Sequence, residues 1–143
     1  MNLCHILEVV KFFMDNFLSL FLFLLILCEV FESWWQHAPT LGGILEKIQH
    51  YYDTNIFMLF LMHPSFYLIL FIFILQEGRG TLLSLVFVMK AVDIAFKLWM
   101  VKKIKEHTLS DDFHAMLSLP LSAWMPWINV LIYPTMLALA LAG

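Results

Sequence analysis

TLLSLVFVMKAVDIAFKLWMVKKIKE, residues 81–106, is apolar enough between Leu82 and Lys105 to cross a bilayer as a helix, yet it carries Lys90, Asp93 and Lys97. At 100° per helical residue these three side chains lie within about 60° of one another. A charged group at that depth costs at least ~2.5 to 3.5 kcal/mol unless it is paired or hydrated. The charged face therefore has to meet protein or water, which predicts a bundle of helices and marks a candidate functional surface.

The composition of the whole chain also indicates a membrane protein. Of its 143 residues, 62% are hydrophobic and only 13% are charged, whereas about 25% charged residues is ordinary for a soluble domain. The formal net charge is -3, and no basic cluster is interleaved with aromatic residues, so nucleic acid is not an expected partner. We predict a single all-α transmembrane domain over residues 1–143. Its expected partners are the lipid bilayer and other transmembrane helices.

The first of four predicted crossings covers about residues 9–33. Its uncharged core, residues 17–28, is shorter than the ~20 residues that a span needs. With the flanks included, Asp15 and Glu29 lie about 21 Å apart along the helix, so both cannot reach the surfaces of a ~30 Å hydrocarbon layer. A polar face that includes Glu8, Asp15 and Glu29 at heptad-like spacing is therefore expected to turn inward.

The other three crossings are predicted at about residues 55–75, 82–102 and 122–142. The first of these contains twenty residues, 56–75, without a charge. His63 and Pro64 interrupt it, and proline removes a helical hydrogen bond, so a kink is expected near the carbonyl groups of Phe60 and Leu61. A tight turn at residues 76–80 leads into the charged third crossing.

The two larger connectors each predict a short interfacial helix. In the first, Pro39 and the pair Gly42 and Gly43 are interpreted as helix breakers. Beyond them, apolar residues at helical spacing lie opposite charged ones: Ile44, Leu45, Ile48 and Tyr51 against Glu46, Lys47 and His50. In the second connector, Ser110 is typical of a helix start and Pro120 of a stop. The predicted fold class is thus an integral membrane four-helix bundle with two interfacial helices.

Lysines set the predicted orientation. One side has five lysines, in the larger connectors or at the end of the crossing beside them, and the other has Lys11 and Arg79. The five are Lys47, Lys97, Lys102, Lys103 and Lys105. By the positive-inside rule, the larger connectors are cytoplasmic and both termini external. The expected location is an inner or plasma membrane, which the chain crosses several times.

Aligning the four crossings by depth predicts which buried polar groups meet. His63 and Asp93 both lie about 12 Å from the cytoplasmic end, and Lys90 lies near the membrane centre within reach of Asp15. We expect these two pairs to form. The full predicted network, which is also the candidate ion pathway, comprises Asp15, Glu29, His63, Lys90, Asp93, Lys97 and Asn129.

Few residues suggest metal or cofactor chemistry. Only His63 lies inside a crossing, so a haem within one chain is not expected. His107, Asp111 and His114, with Asp112, form a loose cluster that could bind a metal or could be a solvated helix start. There is no Cys-x-x-Cys, His-Glu-x-x-His, phosphate loop or Gly-x-Ser-x-Gly motif. The sequence requires no cofactor.

Three functions remain open on the sequence. The first is a small non-enzymatic subunit or accessory factor that packs against copies of itself or a larger membrane complex, the polar network serving only to fix helix partners. The second is an ion or proton channel or transporter lined by the buried Lys, Asp and His side chains. The third is a metal-dependent enzyme that acts on lipid head groups through the cluster at residues 107–114.

Overall fold

The chain folds into helices joined by short connectors. The structure, a computed structural model, describes residues 2–77 and 80–142, the side chain of Met14 excepted. Within these ranges it is all-α, without a β-strand. The helices are α1 (Leu3–Gln36), α2 (Leu41–Thr54), α3 (Ile56–Leu61), α4 (Pro64–Leu75), α5 (Thr81–Lys105), α6 (Asp111–Leu117), a 3-10 turn (Met125–Trp127) and α7 (Ile128–Ala142). The predicted turn at residues 76–80 includes Gly78 and Arg79, which lie outside the described residues.

Among the residues that the structure describes, two segments are by length and composition apolar enough to cross a membrane: α1, and the segment Met125–Ala142 formed by the 3-10 turn and α7. Helix α1 contacts α4 and α7, and α5 contacts the same two helices. Because α4 and α7 separate them, α1 and α5 face each other across the structure. Long side chains from α1 and α5 can therefore meet in the middle.

Two apolar cores lie one after the other along these helices. The first contains Leu25, Ile69, Ile72, Leu83, Val86, Tyr133 and Leu137. The second contains Trp35, Leu45, Ile48, Leu59, Met100, Val101 and Leu117. The cores are separated along α1 by residues 26–34 and along α5 by residues 87–99. These two intervals contain the charged residues of the interior.

The helix predicted over residues 55–75 is broken in two. Helix α3 ends at Leu61 and α4 starts at Pro64, which is the position where the ring of proline cannot continue a helix. The indole Nε1 of Trp35 donates to the carbonyl of Met62 at 2.9 Å, and His63 Nδ1 bonds the carbonyl of Leu59 at 2.9 Å. Side chains thus satisfy the backbone groups freed by the break. The predicted interruption is confirmed in place, and it is a break between two helices.

Both connectors contain the predicted short helices, α2 and α6, although their position relative to a bilayer stays a prediction. Thr40 Oγ1 accepts from Gly43 N at 3.0 Å and caps α2. The interpretation of Gly42 and Gly43 as breakers is wrong, because both lie in the first turn of α2. A Cβ on Gly42 would stand 3.0 Å from the carbonyl oxygen of Leu117, so this glycine permits close packing between α2 and α6.

Candidate functional site

A buried ionic cluster joins α1 and α5. Lys90 Nζ lies 2.8 Å from Glu29 Oε1 and 2.8 Å from Glu32 Oε2. Lys90 is 1% exposed and Glu29 0% exposed. The two glutamates are three residues apart on α1, which places them on one face of the helix. A single ammonium group from α5 therefore bridges two carboxylates of α1 in the interior.

Glu32 also binds the start of α4. Its Oε1 accepts from the backbone amide of Ser65 at 2.8 Å and from Ser65 Oγ at 2.6 Å. The first amides of a helix have no partner within it, and its positive dipole end favours a carboxylate. Because Pro64 has no amide hydrogen, Ser65 supplies the first free amide of α4. Glu32 thus links α1, α4 and α5 through one carboxylate.

Glu29 is less well compensated than Glu32. Its Oε2 is buried and has no hydrogen-bond partner among the described residues. On α7, the ring of Tyr133 lies with its centroid 4.6 Å from Lys90 Nζ, in cation–π geometry. With both carboxylates ionised and Lys90 protonated, the cluster carries one net negative charge. A proton on Glu29 would make the cluster neutral.

A second polar layer lies beside this cluster. Gln36 Nε2 lies 3.3 Å from His63 Nε2, and Lys97 Nζ donates to Gln36 Oε1 at 3.1 Å and to Asp93 Oδ2 at 3.0 Å. His63 Nδ1 must carry the proton that bonds the Leu59 carbonyl, so Nε2 is free to accept from the Gln36 amide. The contacts define a neutral histidine held by hydrogen bonds on both ring nitrogens.

A polar cavity of about 210 Å³ adjoins both layers. Glu32, Gln36, Asp93, Lys97 and Asn129 contribute to its wall. Its rim includes Met125, which is exposed. On the opposite side of the ionic cluster lies the first apolar core, where Val86 and Leu137 are fully buried. The cavity therefore lies on the side of the ionic cluster where α2 and the 3-10 turn pack, and the first apolar core lies on the other side.

The structure brings together six of the seven residues of the predicted network. Glu29 and Lys90 lie in the ionic cluster, His63, Asp93 and Lys97 in the second layer, and Asn129 on the cavity wall. Asp15 is separate: it is exposed and lines an apolar groove of about 570 Å³.

The two predicted pairs are replaced by others. Lys90 bonds Glu29 and Glu32 rather than Asp15, because Asp15 lies about 21 Å from Glu29 along a continuous helix. His63 bonds Gln36 and the Leu59 carbonyl rather than Asp93, because the break turns its ring toward α1. Depth alone predicted both pairs, and depth does not determine which helix face a partner occupies.

Sequence reasoning missed Glu32, Gln36 and Ser65. Glu32 and Gln36 follow Glu29 at spacings of three and seven residues, so the polar face of α1 continues to the end of the helix. Extending the heptad-like pattern by one heptad would have found both. Ser65 has no comparable signal, because its role depends on the tertiary position of the α4 amide.

The candidate metal ligands stand at the surface. His107, Asp111, Asp112 and His114 are all exposed. Among the described residues, no group of three His, Cys, Asp or Glu side chains is placed to hold a metal ion. Ser110 caps α6, accepting from Phe113 N at 3.4 Å, and Asp111 and Asp112 occupy its first turn. The arrangement fits the alternative interpretation, a solvated helix start.

No protein-family model, curated protein or solved structure matches this chain. Function is therefore inferred from the contacts of the interior and from the surface that the helices leave open.

Proposed function

We propose that this chain is a four-crossing integral membrane protein that acts as a non-enzymatic subunit or accessory factor and packs against other transmembrane helices. The four crossings would be α1, α3 with α4, α5, and the 3-10 turn with α7, arranged as a four-helix bundle. The proposed topology keeps both termini external and the connectors that contain α2 and α6 cytoplasmic.

The distribution of polarity supports membrane insertion. Lys90, Glu29 and Glu32 are buried, whereas large apolar side chains are exposed on the helices proposed to cross the membrane. Examples of these exposed residues on α3, α4, α5 and α7 are Phe57, Leu61, Phe71, Val92, Phe96 and Leu131. In water this arrangement would expose extensive apolar surface. In a bilayer it places the charges away from hydrocarbon and the apolar groups against it.

The length of α1 is the observation that best supports a role in binding other transmembrane helices. Its 34 residues span about 51 Å at 1.5 Å per residue, against a hydrocarbon layer of ~30 Å. Every described side chain from residue 2 to residue 17 is exposed, including Ile6, Val10, Phe13 and Phe17. An unbroken helix of this length extends an apolar surface beyond its own bundle. A partner helix would cover that surface.

A proton or ion pathway is the second candidate. It is favoured by the buried carboxylate oxygen of Glu29, which lacks a partner among the described residues, and by the polar cavity next to Glu32. The apolar core on the far side, with Leu25 and Ile69 fully buried, weighs against conduction through a single chain. We make no proposal of a lipid head-group enzyme, because the surface cluster at residues 107–114 gathers no metal site.

Insertion and topology are tested by labelling single cysteines in a Cys4→Ser, Cys28→Ser background in sealed vesicles. A hydrophilic thiol reagent is added from one side of the membrane at a time. Ser118→Cys should react only from the cytoplasmic side and Leu3→Cys only from the outside. Val92→Cys, an exposed site near the middle of α5, should react from neither side. Reaction of Val92→Cys to the same extent as Ser118→Cys would contradict membrane insertion.

A measurement of proton flux across vesicle membranes distinguishes the two candidate functions. Purified protein in proteoliposomes should leave a proton gradient intact at every pH if the chain is a packing subunit. A proton leak that disappears in Asp93→Asn and persists in the surface variant Asp53→Asn would favour the pathway instead.

A further inference from the structure

We propose that the polar cavity beside the ionic cluster binds a primary ammonium group of the kind that ethanolamine carries. This is the cavity of about 210 Å³ whose wall includes Glu32, Gln36, Asp93, Lys97 and Asn129. Ammonium binding depends on this wall rather than on what packs against the outside of the helices, so it goes beyond the proposed function. Three observations support it: the polar groups left without a partner, the charge of the interior and the size of the cavity.

Three side chains on the cavity wall have oxygen atoms that the described residues leave without a hydrogen-bond partner. Ser33 of α1 is only 6% exposed, yet its hydroxyl makes no hydrogen bond within the described part of the chain, and neither does the amide of Asn129 on α7. Asp93 of α5 accepts from Lys97 through Oδ2, while its Oδ1 has no partner among the described residues. Polar groups in a protein interior are normally paired. One group from each of three helices therefore indicates a ligand that donates hydrogen bonds.

The charges of the polar interior favour a cation. The interior contains three carboxylates and two ammonium groups, those of Glu29, Glu32, Asp93, Lys90 and Lys97. His63 is neutral by its contacts and does not change the sum. One negative charge is therefore left over when these groups are ionised, and uncompensated charge is costly away from water. A ligand with a single positive charge would balance it.

The size of the cavity and its free oxygen atoms favour an organic ammonium over a metal ion. A cavity of about 210 Å³ has room for several water molecules, each of which takes about 30 Å³ in the liquid. That space suits a small organic cation. A primary ammonium donates three hydrogen bonds and accepts none, which matches the free oxygen atoms of Ser33, Asp93 and Asn129. Among the described residues, no group of three His, Cys, Asp or Glu side chains is placed to hold a metal ion.

The rim of the cavity indicates two sources for such a ligand. Met125 and Ile128 line the cavity and are 43% and 39% exposed, so its wall borders the molecular surface. The neighbouring Trp124 is 62% exposed, and tryptophan is enriched at membrane–water interfaces. In the proposed topology this is the cytoplasmic interface, where the headgroup of phosphatidylethanolamine presents a primary ammonium. Free ethanolamine in solution carries the same group.

Calorimetric titration of the full-length protein in mild detergent tests the site with free ligands. Ethanolamine and choline each carry one positive charge and one hydroxyl, but the choline nitrogen has three methyl groups and no N–H donor. Choline should therefore bind at least about tenfold more weakly than ethanolamine, because hydrogen bonds that involve charged groups are lost.

Two substitutions with matched controls locate the ligand. Asp93→Asn removes the negative charge of the free oxygen and should weaken ethanolamine binding roughly ten- to a hundredfold. Ser33→Ala removes one hydroxyl, should weaken binding about fivefold, and remains informative where Asp93→Asn disturbs folding. The controls Asp112→Asn and Ser122→Ala lie at exposed positions and should bind like the unmodified protein. Unchanged affinity in both Asp93→Asn and Ser33→Ala would overturn the assignment to this cavity.

Reconstitution in vesicles of phosphatidylethanolamine and phosphatidylcholine in equal amounts tests the headgroup as the source. The protein is extracted in mild detergent, and the lipids that it retains are quantified by mass spectrometry. Enrichment of phosphatidylethanolamine that disappears in Asp93→Asn would support the ammonium site with a lipid headgroup as its ligand. Ethanolamine binding without lipid enrichment would support the same site with a soluble ligand.

Three results would overturn the ammonium site. The first is equal affinity for ethanolamine and choline, and the second is failure of both ethanolamine and phosphatidylethanolamine to bind. The third is displacement of ethanolamine by sodium chloride at concentrations at which choline chloride has no effect, which would show a metal-ion site. Each of these leaves the proposed function standing, because that function is tested separately by cysteine labelling and proton flux.

Discussion

Lys90 of α5 and Glu32 of α1 form a 2.8 Å ion pair in which both side chains are almost fully buried, and the same carboxylate binds the first free amide of α4. Three helices are thereby joined at one group. Truncating one partner of a buried pair leaves the other charge without compensation, which is typically worth about 3–5 kcal/mol. The stability of the whole arrangement should therefore respond to single changes at this group.

Lys90→Met is expected to destabilise the protein by about 3 kcal/mol or more, because two carboxylates lose their shared cation. The free energy of unfolding is measured by SDS titration of the protein in detergent. Lys102→Met is the control, since Lys102 is exposed and its ion pair with Glu106 spans 3.8 Å. A surface substitution of that kind should change the free energy of unfolding by no more than about 0.5 kcal/mol. Equal effects of the two substitutions would contradict the structural role of Lys90.

Glu29 and Glu32 should respond differently to the same chemical change. Glu29→Gln removes the excess negative charge of the cluster and should alter stability by less than about 1 kcal/mol. Glu32→Gln loses acceptor strength toward Lys90 and Ser65 together, and hydrogen bonds to charged groups are worth about 1.5–3 kcal/mol. The same SDS titration measures which of the two variants loses more unfolding free energy. A greater loss in Glu29→Gln than in Glu32→Gln would contradict the excess negative charge assigned to the cluster.

Trp35→Phe tests how the break between α3 and α4 is stabilised. The substitution keeps the aromatic packing but removes the hydrogen bond to the Met62 carbonyl. A buried carbonyl left without a partner costs about 1–3 kcal/mol. Trp124→Phe, at an exposed tryptophan, is the control and should have little effect on the unfolding free energy.

Asp53 gives a prediction about pH. Its carboxylate accepts a hydrogen bond from Lys105, and this bond and the lysine charge hold the pKa of Asp53 below its usual range. A group whose pKa is lowered by folding contributes stability above its unfolded pKa and loses it as pH falls through the folded pKa. An NMR titration of the Asp53 carboxyl should show the low midpoint, and Lys105→Met should return it toward the ordinary value. A midpoint unchanged by Lys105→Met would show that the pair does not form in solution.

The sequence predicted the helices well because apolar length and helix breakers are local signals. Pro64 marked the break and Ser110 the start of α6, while the cost of burying Lys90 required an inward partner. The identity of that partner could not be predicted from depth, because the face of α1 that turns inward depends on packing with α4 and α7. Glu32 lay within the visible polar pattern, whereas the contact of Ser65 arises only when α4 meets α1.

The most direct test of the central claim is the coupling free energy between positions 90 and 32 in a double-mutant cycle. Lys90→Met, Glu32→Gln and the double variant are unfolded by SDS titration under identical conditions. If the interior is organised around this ion pair, the double variant should be more stable than the sum of the single effects predicts, by about 1–3 kcal/mol. Purely additive losses would mean that the two side chains do not meet, and would contradict the account.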